Sequence, residues 1–211
     1  MKALTDAEKR SRQDALARQA LALFPTTGYD KLTMEAVAQG AGVSKGSVFL
    51  AFASKQDLVL HATRLSFDAW FLRLAALDPS DPPKALALGL LNTLRNDPLL
   101  LPLLGLVAPV LEQGCTPGAI LSFKESLAAN LTVLAERWSL QVPSVPPQLW
   151  ASLFLRIHAL TVGAWAVGEA SANVIEAVGH RPELQALLTR FDDLFPDLVE
   201  AQLIAVLRPM K

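Results

Sequence analysis

The stretch Met34-Glu35-Ala36-Val37-Ala38-Gln39-Gly40-Ala41-Gly42-Val43-Ser44-Lys45-Gly46-Ser47-Val48-Phe49-Leu50-Ala51-Phe52-Ala53 decides the fold. Counted from Met34, it has the residue types that two short helices crossing at a tight turn require. The fifth position must be small for the helices to approach, and Ala38 stands there. The ninth must turn with positive φ, and Gly42 supplies that freedom. The positions that pack one helix on the other are Val37, Ala41, Val43, Val48 and Ala51, all apolar. Agreement at seven constrained positions predicts a helix-turn-helix unit.

Working outward, apolar residues recur at three and four positions and alternating β-branched runs are missing, which predicts an all-α protein. A first helix is expected from Asp6 to Phe24, with Leu16, Ala20 and Leu23 inward and Pro25 with Gly28 closing it. Thr33 and Ser44 are candidate N-caps of the second and third helices. A long helix over residues 54–78 follows, with Leu58, Leu65, Ala69, Leu72 and Ala76 as its stripe, stopped by Asp78-Pro79 and Asp81-Pro82-Pro83. Further helices are expected at 84–96, 99–112, 117–140, 147–170 and 191–207, with short pieces at 172–178 and 182–188. The predicted organisation is a three-helix domain over 1–53 and a larger helical domain over 54–211, with 54–78 as the connector.

Composition narrows the function. The 211 residues carry a net charge of -1, are 52% hydrophobic and only 18% charged, so some apolar surface is expected to meet a partner or enclose a cavity. Residues 1–60 hold 8 Lys+Arg against 6 Asp+Glu, a bias that permits contact with nucleic acid without demonstrating it. The N-terminus has no apolar secretory segment, and Cys115 is the single cysteine, which together predict a cytoplasmic protein without disulfides. No bilayer-crossing segment is expected: the uncharged run Trp138–Leu155 is broken by Pro143, Pro146 and Pro147, and Pro98–Leu111 is too short. His61, His158 and His180 lack metal-ligand spacing, so no metal or cofactor is expected.

Ala20, Leu23-Phe24, Gly28-Tyr29, Thr33, Val37-Ala38, Ala41-Gly42-Val43-Ser44, Gly46, Phe49, Phe52, Lys55 and Leu58 carry a closer likeness. In their order and spacing the stretch Ala20–Leu58 resembles the TetR, or tetracycline-repressor-like, family of transcriptional regulators. The resemblance implies a homodimer that binds a palindromic operator in double-stranded DNA through the third helix, set in the major groove. Ser44, Lys45, Gly46 and Ser47 would then face base edges or phosphates, and Thr33 and Lys55 would position the backbone. One departure stands out: the family usually has a phosphate-binding tyrosine where this chain has Phe49, which keeps the ring and loses the donor.

Beyond the fourth helix the resemblance fades. By analogy the remainder is expected to hold a dimer interface and a pocket for a small, mainly apolar effector. Interface candidates are Leu153, Leu160, Gly163 and Val167 on one helix and Leu198, Ala201, Leu203 and Ala205 on the last. Pocket candidates are Phe71, Leu103, Phe123, Leu127, Phe154, His158 and Trp165, residue types that more often simply fill a core. The expected function is a repressor released by its effector, the alternative being the same DNA-binding head controlled by a protein partner or by nothing. An enzyme using Cys115 or Ser122 with His158 is disfavoured, because no nucleophile elbow, phosphate loop or carboxylate pair accompanies them.

Overall fold

A computed structural model describes residues 5–207, so the outermost four residues of each expected domain lie outside the described residues. The described chain is helical, in the order α1 (Asp6–Lys31), α2 (Met34–Gly40), α3 (Lys45–Ala51), α4 (Lys55–Leu74), α5 (Pro83–Arg95), α6 (Leu100–Leu106), a π turn (Val107–Leu111), α7 (Glu112–Gly114), α8 (Pro117–Gln141), α9 (Pro147–Gly168), α10 (Ala172–Val178), a 3₁₀ turn (Pro182–Leu187) and α11 (Phe191–Leu207). By packing the chain falls into two units. One takes the chain up to Ala69 together with Pro102–Ala128, and the other takes Trp70–Leu101 together with the chain from Ala129.

In the first unit, α1 opens on a capping box: the Glu8 N–H donates to Thr5 Oγ1 at 3.2 Å and the Thr5 N–H to Glu8 Oε2 at 2.7 Å. The helix does not stop at Pro25 as the sequence suggests. It runs on to Gly28, whose φ of 61° breaks it, and resumes for one turn to Lys31. Pro25 removes a single N–H from the ladder, which the helix spans, and the Thr26 and Thr27 hydroxyls both donate to the Leu23 carbonyl at 3.0 Å. Leu16, Ala17 and Ala20 of α1 are buried with Val37 and Ala38 of α2 and Val48 of α3, and the three helices pack on one another.

Helix α4 buries a different face from the one its leucines suggest. Leu58 is buried, but Ala69 and Ala76 are exposed, Leu65 is half-buried and Leu72 is 76% exposed. The buried face is Val59, Ala62, Thr63, Ser66, Phe67, Trp70, Phe71 and Leu74, because the three aromatic rings bring more apolar area than the leucine and alanine stripe. Thr63 is accommodated there by donating to the Val59 carbonyl at 2.8 Å. The helix expected at 99–112 is interrupted: around Pro109, which has no N–H, the ladder slips to π pairing and the Glu112 N–H reaches the Val107 carbonyl.

In the second unit α11 packs against both α5 and α9. Trp138 is buried edge-on against Trp150 (centroids 5.1 Å) and beside Phe154 (4.9 Å). Phe191 stacks on Phe195 at 5.1 Å and meets the edge of Trp165 at 5.6 Å. The end of α9 lies so close to the start of α11 that a Cβ on Gly168 would sit 2.4 Å from the Phe191 nitrogen. Arg95 holds Asp192 at 2.7 Å across the same junction. Helix α9 is long and apolar enough by length and composition alone to cross a bilayer, a test that a core helix packed in a globular fold also passes, so the expectation of no bilayer-crossing segment is not overturned. Pro146 and Pro147, which break the uncharged run Trp138–Leu155, stand at the N-terminal start of α9, where proline fits a helix.

Candidate nucleic-acid interface

The turn between α2 and α3 is a Schellman motif. The Gly42 N–H donates to the Gln39 carbonyl at 3.1 Å and the Val43 N–H to the Ala38 carbonyl at 3.0 Å, with Gly42 at φ 65°. Thr33 caps α2 by accepting from the Ala36 N–H at 3.1 Å, and Ser44 caps α3 by accepting from the Ser47 N–H at 3.2 Å. These two caps and the turn fix where α3 starts and which way it points. Val48 then holds α3 from below, fully buried, whereas Val43, expected to pack, is 36% exposed at the rim of the turn.

What α3 leaves outside is a contiguous polar and aromatic edge. Ser44, Lys45 and Gly46 are exposed, Ser47 is half-buried, Phe49 is 46% exposed and Leu50 lies almost wholly in solvent. A Cβ on Gly46 would touch nothing closer than Ser44 Oγ at 4.0 Å, so the helix surface there is open to close approach. Lys45 is not idle: it pairs with Glu35 of α2 and lies 5.6 Å from the centroid of the Phe49 ring. That lysine holds the Glu35 carboxyl below its usual range, chiefly through their hydrogen bond. Lys55 takes a structural post, its ammonium donating to the Tyr29 carbonyl at 3.1 Å and lying 4.2 Å from the centroid of the Tyr29 ring. It thereby ties the start of α4 to the end of α1.

The sequence reading missed a polar joint that links α1, α4 and α8. Asp14 of α1 accepts from His61 Nε2 at 2.7 Å and from Arg64 at 3.0 Å; Arg64 also holds Asp68 at 2.7 Å, and Ser126 of α8 donates to Asp68 at 3.0 Å. One turn earlier, Asp57 is buried and accepts from the Thr116 N–H at 2.8 Å and its hydroxyl at 3.2 Å. Burial pushes the His61 pKa below 6.5, against the pull of the Asp14 hydrogen bond, so the ring is neutral at neutral pH. The only available clue was the spacing of Asp57, His61 and Arg64 along one face of α4; their partners lie about fifty residues away in the chain. Beside this joint the Cys115 thiol is pushed up to about 12, first by burial and then by Asp57, which leaves it protonated and unreactive.

The other candidates scatter. Phe71, Leu103, Phe123 and Phe154 are buried, Leu127, His158 and Trp165 are half-buried, and they divide between the two units. Phe123, packed edge-on against Phe67, is the one that lines either described cleft. The larger cleft, about 820 Å³, lies in the first unit among residues of α1, α4 and α8. The smaller, about 610 Å³, lies in the second unit between the Pro79–Pro83 segment, the Gln141–Pro143 turn and the end of α11. Two dimer candidates are corrected: Leu153 and Leu203 are completely buried in the core between α9 and α11 and have no surface to offer a partner. Gly163, Val167, Ala201 and Ala205 are exposed, with Leu160 and Leu198 half-buried beside them.

Residues 16–62 match the family model for bacterial regulatory proteins of the tetR family, and residues 64–205 match the tetracyclin repressor-like C-terminal domain. The chain belongs to the TetR family of transcriptional regulators. It is similar in fold to a transcriptional regulator from Rhodococcus sp. Rha1, at 17% identity and a TM-score of 0.55, over 93% of this chain and 96% of that one. A possible TetR family transcriptional regulator from Streptomyces coelicolor A3(2) is 21% identical with a TM-score of 0.55, over 92% and 97%. A putative tetR family regulator from Shewanella sp. PV-4 is 18% identical with a TM-score of 0.51, over 90% and 97%. No curated protein sequence matches the chain. It is a DNA-binding transcriptional regulator with an N-terminal helix-turn-helix, and not an enzyme.

Proposed function

We propose that the protein is a homodimeric repressor that leaves a palindromic operator when a small molecule binds it. The observation that carries this reading is the exposed first turn of α3, held by two side-chain caps and a positive-φ turn, with a lysine and two serines on its outer edge. Such a helix enters the major groove N-terminus first. A single head makes few contacts, so useful affinity requires two heads about one helical turn of DNA apart, roughly 34–36 Å. The dimer reading is supported by α9 and α11, which pack together yet leave Gly163, Val167, Ala201 and Ala205 outward.

Release requires only that the effector prefer the state with the wrong head spacing. The mainly apolar effector expected from composition is not retained, because most of its candidate contacts are spent on packing the cores of two separate units. Selection of bound DNA from a random pool by the full-length protein, with sedimentation of the free protein, tests the reading. An inverted repeat and a dimer are the expected result. A monomer, or binding without sequence preference at moderate salt, overturns it.

A further inference from the structure

We infer that the larger cleft is the effector site and that it takes a small amphoteric molecule of the amino-acid or dipeptide class. This rests on the small-molecule reading above and names its site and ligand chemistry. The cleft lies wholly within the unit that contains the reading head, and α1, α4 and α8 all line it.

Most of the charge along α4 is already spent. Asp57 is taken up by Thr116, and Arg64 lies between Asp14 and Asp68. The lining groups with no hydrogen bond or ion pair among the described residues are Arg10 on α1, which feels the charge of Asp6 one turn away, and Glu125 and Ser122 on α8, all exposed. One open cation and one open carboxylate select a ligand with both signs. A dianion would meet Glu125 and the other carboxylates, and a dication would meet Arg10 and Arg64. A purely apolar molecule would take water from both charges and return no hydrogen bond. Phe52 and Phe123 line the cleft but are almost wholly buried, so they offer the carbon frame only a narrow apolar edge, and about 820 Å³ falls in the range of small-molecule sites.

The position also explains how occupancy would be felt. Helix α1 packs on both α2 and α3. A molecule bridging Arg10 of α1 and Glu125 of α8 therefore biases the reading head directly, reinforcing or opposing the Asp14, Arg64, Asp68 and Ser126 chain that already ties these helices.

Calorimetric titration of the full-length protein with the standard amino acids, a set of dipeptides, succinate and indole tests this without DNA. At least one amphoteric probe is expected to bind, and Arg10→Gln and Glu125→Gln are each expected to weaken it about tenfold or more, while thermal unfolding stays unchanged. The inference is overturned if no amphoteric probe binds at millimolar concentration, if binding is unchanged in both variants, or if succinate or indole binds in preference. DNA binding of the wild type is measured separately, so failure of the regulator reading and failure of the cleft reading are told apart.

Discussion

At Phe49 a single oxygen separates the chain from the usual family pattern, and the ring's exposure means that the oxygen can be restored without disturbing the core. Phe49→Tyr is expected to tighten operator binding roughly tenfold with unchanged stability, the gain of one hydrogen bond to a charged phosphate. Fluorescence anisotropy on the selected operator measures it, and unchanged affinity would place the ring away from the backbone. Glu35 has the opposite sense. It holds Lys45 and sets a negative charge beside the reading helix, so Glu35→Gln is expected to raise DNA affinity several-fold and to steepen its salt dependence. Gly42 tests the turn alone: nothing surrounds its absent Cβ, so Gly42→Ala is expected to cost about 1–2 kcal/mol from the backbone conformation, read as a shift in the urea midpoint. Gly42 was legible in the sequence through turn chemistry and Phe49 through the family resemblance, whereas the Glu35–Lys45 pair forms only where α2 meets α3.

At the scale of elements, the joint of α1, α4 and α8 makes stability depend on pH. The His61 pKa in the folded chain lies below its unfolded value of 6.5, first because it is buried. The folded state therefore binds fewer protons than the unfolded one in that window, and stability rises with pH there. Its contribution is fully present above 6.5 and is lost as pH falls from 6.5 towards the folded value. Urea unfolding at pH 7.5 and 5.5 should show the loss, and His61→Asn should flatten it; an equal loss in the variant would assign the effect to other groups. The same elements show why α4 misled the sequence reading. Leu65, Ala69 and Leu72 satisfy helical spacing as well as Thr63, Phe67 and Trp70 do. Periodicity locates a stripe, but neighbouring elements decide which stripe is covered.

For the whole molecule, the outer face of α9 is the surface that matters most. Its apolar residues exceed what α11 can bury, and Gly163 presents an outward face with nothing within 4 Å of a built Cβ. If the proposed dimer forms through this face, Gly163→Arg is expected to give a monomer in sedimentation and to weaken operator binding by at least tenfold, with the helical content kept. A dimer surviving this charge would move the interface elsewhere.

The helix-turn-helix, its caps, its positive-φ glycine and the helical character of the described chain were determined by the sequence alone, since each rests on local rules of spacing, capping and backbone freedom. Only the tertiary structure decided that α4 turns its aromatic face inward, that Leu153 and Leu203 belong to the core, and that Asp14, His61, Arg64, Asp57 and Thr116 converge beside a polar cleft. Those outcomes depend on which distant helix arrives at each face. Burial and charge pairing are settled between elements, and the local sequence of one helix does not specify its neighbour.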